Sequence, residues 1–186
     1  MLSLVKEITS IYKAYFNIDS QNINPNTNLC KSCKGICCKQ CGCYFSPYDF
    51  TDLSFEYLKN RLDIGYISID NISSRFTGLR NDYLILRTRN KNRNIYDIDI
   101  TRQTLGCDLL TSEGCLLTYD ERPSGGKLLI PKKYSTCESE YTITDCALEW
   151  KQYQSVLLHL ASHYQWTETQ HHYENQLVKT RKINRN

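Results

Sequence analysis

Residues 30–43 read C-K-S-C-K-G-I-C-C-K-Q-C-G-C, which places Cys30, Cys33, Cys37, Cys38, Cys41 and Cys43 in one short run. The remaining cysteines of the chain's ten, Cys107, Cys115, Cys137 and Cys146, lie far downstream. Cys30-x2-Cys33 has the spacing at which the backbone curls so that two sulfurs reach one ion and turn amides donate to the thiolates. Gly35 eases the turn that follows. Adjacent side chains diverge, so Cys37-Cys38 suits two ions, a bridged cluster, or one ligand beside one packed thiol. Thiolates accept zinc and iron–sulfur clusters alike. The alternative is a set of buried structural cysteines, common core residues, and it weighs more for Cys41 and Cys43 than for the first four.

Compartment decides between disulfides and metal. Lys6 and Glu7 interrupt the N-terminal apolar run before the h-region of a secretory signal forms. No stretch approaches the roughly 18 apolar residues of a membrane span. The expectation is a cytoplasmic protein without membrane association, and in a reducing compartment this many thiols argue for metal. A net charge of +3 does not imply a nucleic-acid partner.

The chain's 186 residues fit one domain with a real core. We expect residues 1–178 to form it and residues 179–186 to be a basic tail. Apolar positions at Leu4, Val5, Ile8, Ile11, Tyr12, Tyr15 and Phe16 predict an amphipathic helix. Ser46-Pro47 and Ser54 have the cap chemistry of helix starts, the second running to about Leu62, with Gly65 as its stop. Residues 66–69 read as a short strand. Tyr83–Arg89 and Ile95–Ile100 read as strands of one antiparallel hairpin across a polar turn. Glycines and prolines between Gly114 and Pro131 predict irregular pieces. Thr144-Asp145 is read as the start of the longest helix, reaching about Tyr164. Cys146 then sits in the first turn, where a helix N-terminus favours a thiolate. The expected class is α+β: a small single domain with few strands, several helices and irregular loops organised around a cysteine-ligated metal centre.

The run Cys-x2-Cys-x3-Cys-Cys, followed by C-x-L-L-x-x-x-G-C-x-L-x-Y-x-x-R-P at Cys107 to Pro123, resembles the YkgJ-like family, described as zinc- or iron-chelating domains. A related pattern occurs in flagellin lysine-N-methylases. The resemblance covers Cys30 to Cys38 and Cys107 to Pro123, and continues loosely to Cys146. It implies ligand roles for Cys30, Cys33, Cys37, Cys38, Cys107, Cys115 and Cys137, and less directly for Cys146, toward zinc or iron, the iron free or in an iron–sulfur cluster. The family often carries a cysteine after Arg-Pro. Here Ser124 follows Arg122-Pro123, which leaves Cys41, Cys43 or Cys146 as substitutes.

Three functions follow as expectations. The first is a metal-binding protein whose site is structural or handles metal. The second is an iron–sulfur enzyme of methyltransferase or redox type, with Arg122 holding an anionic substrate; the same arginine is equally suited to bracing a loop. The third, not favoured, is a nucleic-acid module using Arg75, Arg80, Arg87, Arg89, Lys91, Arg93 and Arg102 with Tyr83 and Tyr96; a solvated hairpin face is the commoner reading. His159 and His163 share a helix face at i, i+4 but lack the H-E-x-x-H glutamate, so packing outweighs metal binding. Lys127 after Gly125-Gly126 lacks the P-loop spacing.

Overall fold

The computed structural model describes residue 35 and residues 38–39, 42–91, 94–97, 106–112, 114–130 and 137–165. The expected N-terminal helix, the basic tail, and Cys30, Cys33, Cys37 and Cys41 lie outside these residues. The described chain mixes helix and strand in an α+β arrangement. Among the described residues no helix is long and apolar enough to cross a membrane.

The centre is a four-stranded sheet of β1 (Tyr44–Phe45), β2 (Ile67–Ile72), β3 (Tyr83–Thr88) and β4 (Tyr96–Asp97), in the order β1-β3-β2-β4. β2 and β3 pair antiparallel along their whole length, from Ile67↔Thr88 to Ile72↔Tyr83. The expected hairpin is therefore displaced. β3 pairs with the strand before it, and β4 lies parallel to β2 through Ile69↔Tyr96 and Asp70↔Asp97. Within the expected strand the described Tyr96–Asp97 are extended, while residues 98–100 lie outside the described residues; alternation carries no information about which neighbour supplies the partner.

Every residue of β3 is buried, so its backbone must be satisfied on both edges. β2 serves one edge. On the other, β1 pairs only Arg87 and Leu86, and Gln154 does for Leu84 what a strand would. Its Oε1 accepts from the Leu84 N–H at 3.0 Å and its Nε2 donates to the Leu84 carbonyl at 2.8 Å.

α1 (Phe55–Asp63) starts where Ser54 accepts from the Tyr57 N–H, and buries Leu58 and Leu62. Near its end the Leu62 carbonyl accepts from Arg89 Nη2 at 3.1 Å, and the same Nη2 donates to Ile67 at the start of β2 at 2.9 Å. α2 (Ser74–Thr77) is a single turn between β2 and β3 that hydrophobic periodicity does not reveal. Ser46-Pro47 opens a 3-10 turn, Pro47–Asp49, closed by a reciprocal Ser46/Asp49 capping box.

The long helix differs in its start and its continuity. Its cap is Thr142, in a second capping box with Asp145, so α4 (Ile143–Trp150) begins one residue before Thr144. A 3-10 turn, Lys151–Tyr153, separates it from α5, residues 154–165. α4 packs on β3 and β1. Trp150 is 0% exposed and its Nε1 donates to the Phe45 carbonyl at 2.7 Å, fixing helix to sheet edge. The segment expected to be irregular holds two small ladders, β5 (Leu110–Thr111) with β6 (Gly114–Cys115) and β7 (Leu129–Ile130) with β8 (Glu138–Ser139). Between them lies α3 (Ser124–Lys127).

Candidate metal centre

The C-terminal end of β3 gathers the two cysteine-bearing segments. On one side, the Gly42 N–H donates to Asn90 Oδ1 at 2.9 Å and the Cys43 N–H to Thr88 Oγ1 at 2.8 Å. The Thr88 N–H returns a bond to the Cys43 carbonyl at 2.9 Å. On the other side, residues 106–108 run beside residues 89–91. Lys91 donates to Gly106, Asp108 donates to Arg89, both at 2.9 Å, and Asn90 bridges Cys107.

The two sides also meet each other. The Cys107 N–H donates to the Cys38 carbonyl at 2.6 Å, and Cys107 Sγ lies 3.4 Å from Thr88 Oγ1. Thr88 is thus one hydroxyl shared by the Cys43 backbone and the Cys107 sulfur. It can accept from a thiol or donate to a thiolate, because a hydroxyl is both donor and acceptor.

Gly106 makes this approach possible. Its φ is +84°, and a Cβ there would stand 2.8 Å from the Cys38 carbonyl oxygen and 3.0 Å from Lys39 Cα. Both obstacles are backbone and cannot rotate away. We expect Gly106→Ala to destabilise the protein by about 1–3 kcal/mol through the positive φ and the crowding together. Denaturant unfolding would check this; a change near zero would mean that the two segments are not held this closely.

The thiols differ in their electrostatics. Contact with the Cys43 side chain, against the opposing effect of burial and helped by the Arg122 charge, lowers Cys38 to about 7. Burial pushes Cys107 up, with Cys38 and Cys115 adding to the rise and the Thr88 contact opposing it. Cys115, opposite Leu110 in the β5–β6 ladder, therefore shares the electrostatic neighbourhood of Cys107 and Cys38. Arg122 also donates through Nε to the Leu117 carbonyl at 3.5 Å. It serves as loop brace and as a positive charge near sulfur.

The structure thus brings Cys38, Cys43, Cys107 and Cys115 to one end of the sheet. Cys43, by spacing only a substitute ligand, precedes β1 and is held against Thr88 of β3 by strand pairing, which spacing does not reveal. Cys137 stands immediately before β8. Cys146 is 0% exposed, with Sγ 3.5 Å from the Phe45 carbonyl. Burial acts there against the expected helix-terminus preference for a thiolate. Burial pushes the Cys146 thiol well up, despite a hydrogen bond with Tyr141 that works the other way, because removing a charge from water outweighs a partial helix dipole. No disulfide joins one described cysteine to another. Among the described residues no three His, Cys, Asp or Glu side chains are grouped to hold one metal ion.

The other candidates resolve into packing. His159 stacks on Phe55 at 4.3 Å between ring centroids, and His163 meets the Phe55 and Tyr164 rings edge-on. Two arginines of the expected basic surface are committed elsewhere. Arg87 pairs with Asp70 at 2.8 Å inside the sheet, and Arg89 closes the end of α1. No protein-family model matches this chain, nor does any curated protein or any solved structure.

Proposed function

We propose that this chain is a metal-binding protein that holds zinc or iron, the iron free or in an iron–sulfur cluster, through clustered cysteines in a structural or metal-handling role. The observation that carries the reading is the bond from the Cys107 backbone to the Cys38 carbonyl. It joins two cysteine-bearing segments that are far apart in sequence, with Thr88 in contact with both. The donor chemistry fits a soft or borderline metal. The described residues supply a contacting pair, Cys38 and Cys43, with Cys107 and Cys115 nearby. Cys30, Cys33 and Cys37 precede the pair closely in the chain and are proposed as further donors, with Cys137 as a more distant one. The resemblance to zinc- or iron-chelating domains belongs to this same proposal. So does a reducing, cytoplasmic setting, which keeps such thiols available.

When bound, zinc in such a site would supply folding free energy on the order of 10 kcal/mol. The protein's own residues would position and neutralise the sulfurs: Thr88 by its hydroxyl and Arg122 by its charge. An enzyme reading would need Arg122 free for a substrate, and its bond to Leu117 argues for bracing instead. The inward commitment of Arg87 and Arg89 argues against a nucleic-acid surface on this sheet.

Anaerobic purification with metal analysis and an absorbance spectrum tests the proposal. Colourless protein with stoichiometric zinc, or brown protein with iron and sulfide, is the expected result. Cys107→Ala should lower metal content as much as Cys38→Ala does. A well-folded protein that takes up neither metal under reducing conditions overturns the reading.

A further inference from the structure

Resting on the metal-binding reading, we infer that Cys43 is a metal ligand acting beside Cys38, and that Cys146 is a packing residue outside the ligand set.

Four features place Cys43 in the site. Its side chain contacts that of Cys38. Its backbone is fixed on both sides of its Cα, the N–H by the Thr88 hydroxyl and the carbonyl by the Thr88 N–H. A residue held at both groups presents its Cβ in one direction, which is what an ordered metal ligand needs. Thr88, the residue that fixes it, also touches the Cys107 sulfur. Finally, α3 approaches Cys43 through two glycines. A Cβ on Gly125 would stand 2.9 Å from the Tyr44 nitrogen, and one on Gly126 would stand 3.4 Å from Cys43 Sγ and from Arg122 Cβ. The bare backbone of Gly126 leaves Arg122 Cβ and Cys43 Sγ bordering one open position, and the Arg122 charge, of the sign a thiolate pair requires, acts on the neighbouring Cys38.

Cys146 has none of this. Its sulfur faces the Phe45 carbonyl, and the groups acting on it are Tyr141, Glu149, Asp49 and Arg87. Tyr141 and Ser46 both donate to Glu149 Oε2, at 2.7 Å and 2.6 Å, so the polar atoms around this thiol already serve one another. A cation there would have to displace these bonds and the Trp150 anchor on the same carbonyl.

The test uses the full chain, reduced and stripped with a chelator, then titrated with zinc against a chromophoric competitor and with cobalt(II) for its thiolate charge-transfer band. Cys43→Ala and Cys38→Ala should each weaken zinc binding by at least about 10–100-fold, the cost known for disturbing even a ligand's support, and should diminish the cobalt band. Cys146→Ala should leave affinity and band unchanged. Circular dichroism reports folding in each case. Should Cys43→Ala not fold, Cys43→Ser keeps the size of the side chain and carries the same expectation, and Cys43→His should recover part of the affinity, as a replacement donor would and a packing residue would not. Wild-type affinity and band in a Cys43 variant overturn this inference while leaving the metal reading intact. So does weakened binding in a folded Cys146→Ala. A wild-type chain that binds neither ion fails the metal reading itself.

Discussion

Truncating Trp150 to alanine is expected to destabilise the protein by about 3–5 kcal/mol. The indole is fully buried where α4 crosses β1 and β3, in contact with Phe50 and Tyr153. Alanine would leave a large cavity among groups held by other bonds, so the site cannot collapse cheaply. It would also remove the donor to the Phe45 carbonyl, whose other neighbour is a thiol at 3.5 Å. A buried carbonyl left with only the weaker thiol donor adds to the cavity cost. Because that carbonyl lies in β1, two residues from Cys43, metal affinity should fall along with stability. Chemical denaturation followed by circular dichroism measures the first effect and zinc titration the second. A loss below about 1 kcal/mol would mean the indole is not the anchor described.

Asp70→Ala is the second large expectation, also about 3–5 kcal/mol. Asp70 Oδ2 and Arg87 Nη1 are 2.8 Å apart, with side chains only 10% and 7% exposed. Ser68 donates to the other carboxylate oxygen at 3.0 Å, and the Tyr44 ring lies 5.7 Å from the guanidinium. Removing the acid leaves a cation inside the sheet with its main counter-charge gone. The double change Asp70→Leu with Arg87→Met should recover most of the loss, since an apolar pair needs no desolvation of charge. If the single change costs as little as the double, the pair is more hydrated than its geometry indicates. Arg87 directly precedes Thr88, so this pair lies next to the residue that contacts both cysteine segments.

Much of the local structure was legible. Ser46-Pro47 and Ser54 marked real caps, and apolar periodicity marked α1 and the α4–α5 region, because caps and periodicity act within a few residues. The strand expected over Tyr83–Arg89 is observed as Tyr83–Thr88. What failed was pairing. Tyr96–Asp97 carries the right alternation, yet it joins β2 in parallel rather than β3 in a hairpin. β1 is two residues long and left no pattern at all. The place of Cys146 in the first helical turn is local and legible, whereas its full burial comes from packing that the local sequence does not show.

The cysteine run at residues 30–43 determines by itself that this protein has concentrated thiol chemistry, since residue type and spacing are properties of the chain. Which thiols meet was decided only by the tertiary structure. Thr88 and Asn90 align Gly42–Cys43 on one side through their side-chain oxygens and Cys107 on the other through a backbone bridge, contacts that no spacing rule contains. Gly106 permits the contact only because it lacks a Cβ and accepts a positive φ. The same packing leaves Cys146 fully buried, with its sulfur and the Trp150 indole both on the Phe45 carbonyl, because helix and sheet edge close over them.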